Sequence, residues 1–423
     1  MKSKSLRFII VILMLFSFSL RGVAQDAAGP EPVGERPDAP PYGLHGPYWV
    51  GTRLLTAEPD SDRPLTIRMW YPALNAADAP ESITYTIEHG PNFPAATIAG
   101  HALAEAEPNL VDGPYPLIVY SSGGGAMPEH NASLLEHLAS YGFVVIGAGH
   151  PGATTVELME SFISEEGEAT YLHNDALVAI YRPLDIQRQI TFAETLTATD
   201  ATFSGLIDAG EVAVMGTSYG GYTAMAAAGV PLNFVAFKTW CAENPADCAL
   251  QEIAHFPQYE AEMTALVGDR ATESGLWALG DPRIDALVAL APGSMPLFDD
   301  TGLQALEMPT LFIVGSLDEY GIDAFVEQAY DIINSPIRGK VILQNAGHMF
   351  ANFTCADSPD YVAFGFFSFC SDPIWDMNRL HDVANHFTTA FLLDTLKGDA
   401  EAHAALVPSA VDFVGVTYQA EGY

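Results

Sequence analysis

Val212-Ala213-Val214-Met215-Gly216-Thr217-Ser218-Tyr219-Gly220-Gly221 is an apolar run that breaks into a turn with glycine two places on either side of a serine. Four apolar residues bounded by turn chemistry read as a buried strand. The small residues Ala224, Ala226, Ala227 and Ala228 that follow suit a helix lying close against a sheet. A chain that passes from strand to helix within one residue needs glycine where its backbones crowd, and it holds the residue at the tip out in a strained conformation. Ser218 is at that tip. The pattern also occurs by chance in glycine-rich loops, so its meaning depends on what surrounds it.

Working outward, apolar runs alternate with helix-period segments from about residue 115 onward. Leu117-Ile118-Val119-Tyr120 precedes Ser121-Ser122-Gly123-Gly124-Gly125, and a helix over 133–141 leads to Phe143-Val144-Val145-Ile146. After a poorly patterned insertion, residues 154–180, helical spacing returns at Ile186, Ile190, Ala193 and Leu196. Further strands are expected at 286–291, 310–314 and 341–343. A last helix carries Leu380, Val383, Phe387 and Phe391 and stops at Lys397-Gly398, a good C-terminal cap. This alternation predicts an α/β fold with a mostly parallel sheet and helices on both faces. Leu65 to Tyr71 alternates and predicts an earlier antiparallel strand. Residues 231–282 interrupt the rhythm and read as a cap. Its Phe234, Phe237 and Trp240 are candidates either for an apolar pocket or for the cap's own core.

Catalytic groups of open parallel sheets collect beyond the carboxyl ends of strands. Asp318, in Gly315-Ser316-Leu317-Asp318-Glu319, follows one strand run, and His348, in Asn345-Ala346-Gly347-His348, follows the next. A nucleophilic serine needs a base and a carboxylate to orient it, and the order Ser, Asp, His is one of the known arrangements. Ser218 is therefore the candidate nucleophile, His348 the base and Asp318 the orienting acid. Glu319, Asp299 and Asp300 are rival acids. His150, in Gly149-His150-Pro151-Gly152, is a rival base that reads better as a loop-ordering residue, while His130 and His137 flank a helix expected at the surface and His381 and His386 lie on the last helix. The candidate oxyanion donors are the backbone N–H groups of Tyr219 and Gly124. The glycine run is a poor phosphate cradle because the lysine of that motif is missing.

Residues 1–24 combine Lys2, Lys4 and Arg7 with an apolar run from Phe8 to Leu20 and small residues near Ala24, as a secretory signal peptide does; an uncleaved anchor is the alternative. Residues 25–41 hold five prolines and read as a linker, 42–398 as one catalytic domain with its cap, and 399–423 as a tail. No transmembrane segment is expected after cleavage. Four cysteines suit an oxidising, secreted or periplasmic setting, and the short separations favour Cys241 with Cys248 and Cys355 with Cys370 among three possible pairings. Their spacing suggests no metal site. A net charge of −36 repels nucleic acid and anionic membranes.

Met69-Trp70-Tyr71-Pro72-Ala73, Pro116 to Gly125, Leu138 to Val145, Arg182-Pro183-Leu184-Asp185, the serine turn, Asp281-Pro282-Arg283-Ile284, Asp318 and Gly347-His348 together resemble the dienelactone-hydrolase-like branch of the α/β-hydrolases. That branch lies near platelet-activating-factor acetylhydrolases and cutinase-like polyester hydrolases. The resemblance runs from about residue 65 to about 350. It implies an eight-stranded α/β-hydrolase sheet and a serine esterase acting on a small-molecule or lipid-like ester, with no metal or organic cofactor. Ser122 departs from the pattern, since a histidine commonly stands there. The Gly-x-Ser-Tyr-Gly-Gly-Tyr turn also resembles that of prolyl oligopeptidases, but too few residues precede the first parallel strand for their β-propeller. A non-catalytic binding protein on the same fold is the third reading.

Overall fold

The computed structural model describes residues 29–423 except 250, 252 and 273. The expected signal peptide, 1–24, lies outside these residues. Twelve strands are present among the described residues: β1 (Trp49–Ala57), β2 (Leu65–Ala73), β3 (Ile83–Ile87), β4 (Ala96–Gly100), β5 (Leu103–Ala104), β6 (Tyr115–Ser121), β7 (Val144–Ala148), β8 (Ile207–Thr217), β9 (Ala286–Leu290), β10 (Thr310–Gly315), β11 (Arg338–Leu343) and β12 (Val416–Glu421). β3 and β4 pair only with each other. The other strands form one sheet in the order β12-β11-β10-β9-β8-β6-β7-β2-β1-β5. The six strands from β11 to β7 are parallel, while β12, β2 and β1 add antiparallel neighbours at the two sides.

The sheet therefore has ten strands, not the expected eight. β12 escapes a reading based on apolar runs because it alternates half-buried Val416, Tyr418 and Ala420 with exposed Thr417, Gln419 and Glu421. It pairs with β11 along its whole length, so the segment read as a tail closes one edge of the sheet. β5 has only two residues and leaves no periodic signal.

Every residue of β6, β7, β9 and β10 is buried, which requires cover on both faces and explains the unbroken apolar runs. The covering helices include α1 (Ala132–Ser140), α3 (Glu165–Thr199) and α4 (Tyr219–Ala227), while α2 (Thr155–Ser161) packs on α3 and α5 (Phe234–Glu243) belongs to 231–282. α4 and the later helix Met377–Lys397 both pack against β8 and β9, α3 packs on α4, and Met377–Lys397 packs on α1. Met377–Lys397 starts from the Asp376 side chain and ends at Gly398, whose φ of 63° is open to glycine at little cost. α3 joins part of the unreadable insertion to the expected helix as one 35-residue element with Pro183 inside it. Cys241 is bonded to Cys248 and Cys355 to Cys370.

Candidate active site

β8 ends at Thr217, and α4 begins at Tyr219, leaving Ser218 alone in the turn with φ 57° and ψ −123°. A serine held at positive φ stores of order 1–3 kcal/mol of strain, which the surroundings must over-determine. They do so through backbone bonds: Ser218 N–H donates to Leu290 O at 2.9 Å, and Gly293 and Gly221 N–H donate to Ser218 O at 2.8 Å each. Both flanking glycines are needed for close approach. A Cβ at Gly216 would lie 2.0 Å from Gly220 O, and one at Gly220 would lie 1.9 Å from Ser121 O.

β10 delivers Asp318 and β11 delivers His348, each just past its strand's carboxyl end. His348 Nε2 lies 2.8 Å from Ser218 Oγ, and His348 Nδ1 lies 2.6 Å from Asp318 Oδ2. A carboxylate only accepts, so Nδ1 carries the proton and Nε2 is left to accept from the Ser218 hydroxyl. Asp318 Oδ1 accepts the Tyr320 N–H at 3.0 Å, and the Tyr320 ring stands edge-on to the imidazole with centroids 4.8 Å apart. Both Asp318 and His348 are buried. The histidine's backbone is held as well: Glu319 accepts the His348 N–H at 3.1 Å, and Asp372 accepts the Gly347 N–H at 2.7 Å.

Of the rival acids, Glu319 thus meets the histidine's backbone and not its ring, and the other two lie elsewhere. Asp299 caps the short helix after β9 and accepts from Asn233, while Asp300 accepts from Gln328 at 3.0 Å. His150 is fully buried and reaches Ser121 and Asp185, not Ser218. The glycine loop lies against the serine turn, where a Cβ on Gly123 would be 3.9 Å from Ser218 Oγ. Ser122 Oγ donates to Ala126 O at 2.8 Å, so this hydroxyl braces the loop from within.

A cavity of about 290 Å³ opens over Ser218. One wall comes from α2 and its end, with Thr155, Leu158, Met159 and Phe162; the opposite wall comes from the segment after His348, with Met349, Asn352, Tyr361, Phe366 and Phe369. Gly123, Gly124, Gly125, His89, His130 and Asn131 complete it. The described residues of 231–282, expected as the cap above the serine, contribute none of these walls. Phe234 stacks on Trp277 of the same segment at 4.9 Å and Phe237 is fully buried, while Trp240 packs edge-on against Phe325, outside the segment.

His130 and His137 are buried rather than at a surface, as nearly all of α1 is. Burial pushes the His130 imidazole down to about 4, so it enters the cavity neutral, with Nε2 at 2.7 Å from Tyr361 OH. Sequence patterning did not single out His130, Tyr361, Tyr320 or Asp372 for the site. Only their placement after β6, β10 and β11 hinted at it. Among the described residues no cluster of three or more His, Cys, Asp or Glu side chains is arranged to hold a metal ion.

No protein-family model matches the chain, and no curated protein matches it in sequence. Among solved structures it is similar to a ferulic acid esterase from Streptomyces cinnamoneus, with a TM-score of 0.52 and 18% identity over 88% of this chain and 96% of that one. The likeness shows a common fold: a mixed α/β architecture on a large, mostly parallel sheet, consistent with the α/β-hydrolase fold.

Proposed function

We propose that the protein is an exported serine hydrolase of carboxylic esters, with Ser218 as nucleophile, His348 as general base and acid, and Asp318 as the orienting carboxylate. The observation that carries this reading is the unbroken chain from Ser218 Oγ through His348 to Asp318, with links of 2.8 and 2.6 Å across three strand ends. His348 Nε2 takes the serine proton as Oγ bonds to the ester carbonyl carbon. The resulting oxyanion faces the N–H groups of Tyr219 and Gly124, each such donor being worth about 3–4 kcal/mol in the transition state. The intermediate expels the alcohol, which leaves with the proton from His348, and an acyl-enzyme remains. His348 then deprotonates water, which attacks the acyl carbon, and the acid departs as Oγ recovers its proton. No metal or organic cofactor takes part in these steps.

The cavity lined by Leu158, Met159, Phe162, Phe366 and Phe369 suits an apolar acyl or alcohol group. Two disulfides support export into an oxidising compartment. No helix among the described residues is long and apolar enough to cross a membrane. The test is turnover of a p-nitrophenyl ester chain-length series and methyl ferulate against aminoacyl-proline amides, with fluorophosphonate labelling. Ester turnover should dominate, and Ser218→Ala should abolish labelling and lower kcat by about 10⁴-fold or more. Comparable amide turnover would favour a peptidase. Absence of both labelling and turnover in the wild type would favour a binding protein.

A further inference from the structure

The chain contains a second Ser-His-Asp arrangement, and it cannot be a second active site. Ser121 Oγ lies 2.9 Å from His150 Nε2, and His150 Nδ1 lies 2.9 Å from Asp185 Oδ2. Ser121, His150 and Asp185 are all fully or almost fully buried, so no ester carbonyl can reach that hydroxyl. Arg63 and Arg188 cover the other Asp185 oxygen, which keeps the carboxylate ionised and the imidazole oriented. Burial and the neighbouring Arg182 charge push His150 down to about 4, so it is neutral, with Nδ1–H donating to Asp185 and Nε2 accepting from Ser121.

What this buried chain holds is Arg182, itself only 1% exposed. One guanidinium nitrogen, Nη2, donates to Ser122 O and to Ser121 Oγ, the latter at 3.3 Å, at the root of the glycine loop. Arg182 Nε donates to Thr223 Oγ1 at 2.9 Å, and that hydroxyl donates to Tyr219 O at 3.0 Å. The guanidinium also lies over the Tyr219 ring, 4.5 Å from its centroid. One planar cation thus spans the two backbone segments expected to supply the oxyanion donors. We propose that Arg182, fixed by Ser121, His150 and Asp185, is a positioning residue that sets the spacing of the Gly124 and Tyr219 N–H groups.

This rests on the catalytic reading above, and the experiment separates the two. Thr223→Val removes the acceptor of Nε at nearly constant volume, Thr223→Ser retains it, and Ser121→Ala cuts the chain at its other end. Each enzyme is titrated with a fluorophosphonate, and kcat, KM and the rate ratio of a p-nitrophenyl ester to its thionoester are measured. Because sulfur fits an oxygen-sized hole poorly, that ratio reports the hole itself. Thr223→Val and Ser121→Ala should lower kcat about 10- to 100-fold with KM within about threefold, compress the oxo-to-thiono ratio, and leave Thr223→Ser near wild type. An unchanged kcat per titrated site and an unchanged ratio in both variants overturns the inference even if melting temperatures fall. Complete loss of labelling in Ser121→Ala, or retained labelling in Ser218→Ala, overturns the catalytic reading instead.

Discussion

Asp318 and Asp300 both follow strands of the parallel core, yet only Asp318 meets the imidazole, at 2.6 Å, while Asp300 bonds the Gln328 amide. The difference gives a direct comparison. Asp318→Asn should cost about 10⁴-fold in kcat, because an amide in that place favours the wrong imidazole tautomer, whereas Asp300→Asn should stay within about twofold, as expected for a residue outside the site. Steady-state hydrolysis of p-nitrophenyl butyrate by the two variants decides it; the reverse ranking would move the acid to the preceding strand. These residue positions were legible because each candidate follows an apolar run. The acid's identity was not, since two carboxylates stand beyond neighbouring strands and only the direction of each turn separates them.

At the scale of elements, the part of the cavity wall that carries Tyr361, Phe366 and Phe369 is a loop closed by the Cys355–Cys370 bond and packed with aromatic rings. Tyr361 packs on Phe353 at 4.7 Å and on Phe366 at 6.3 Å, and Cys355 N–H donates to Cys370 O at 3.0 Å. Closing 15 residues stabilises the fold by about 3 kcal/mol in the loop-entropy model. Replacing both cysteines by serine should therefore lower the melting temperature. It should also raise KM for long-chain p-nitrophenyl esters several-fold, while kcat stays within about threefold because the Ser218-His348-Asp318 chain lies outside the loop. A kinetic series over acyl length reads both effects, and an unchanged KM would mean that this wall does not hold substrate. The wall was not legible in the sequence: residues 155–162 and 349–370 have no periodicity that marks them as neighbours. By contrast, 231–282 looked like a cap because it broke the α/β rhythm, and its Phe234 and Phe237 are buried in its own packing.

At the scale of the whole molecule, the fold buries histidines within helices and beyond strand ends. Burial lowers His130, His150 and His386 to about 4 and His137 to about 3. Their folded values lie below the unfolded value near 6.5, so unfolding takes up protons in this range. The stability they contribute is full above about pH 6.5 and falls as pH drops towards 4. Glu136 and Asp382, raised by burial to about 7 and about 6, act in the opposite sense across the same window. A variant comparison removes that opposition and the surface charge from the result. Between pH 6 and 4.5, wild-type unfolding free energy should fall with acidification more steeply than that of His137→Asn, by about 1.4 kcal/mol per pH unit, the weight of one proton. Urea titrations across this range measure the two slopes; equal slopes would mean that His137 is protonated in the folded state.

The sequence by itself determined the α/β class, the serine turn, and the order of the nucleophile, acid and base candidates. These depend on local patterning, namely apolar runs that need burial on both faces and glycines where backbones touch. Only the tertiary structure decided that ten strands join, that Asp318 rather than Asp300 faces His348, and that the cavity is walled by two segments far apart in the chain. It also decided that a second Ser-His-Asp set is sealed beneath the glycine loop. The physical reason is that hydrogen-bond partners and cavity walls depend on where strand ends and loops meet in space, and the chemistry of a single residue type carries no record of that meeting.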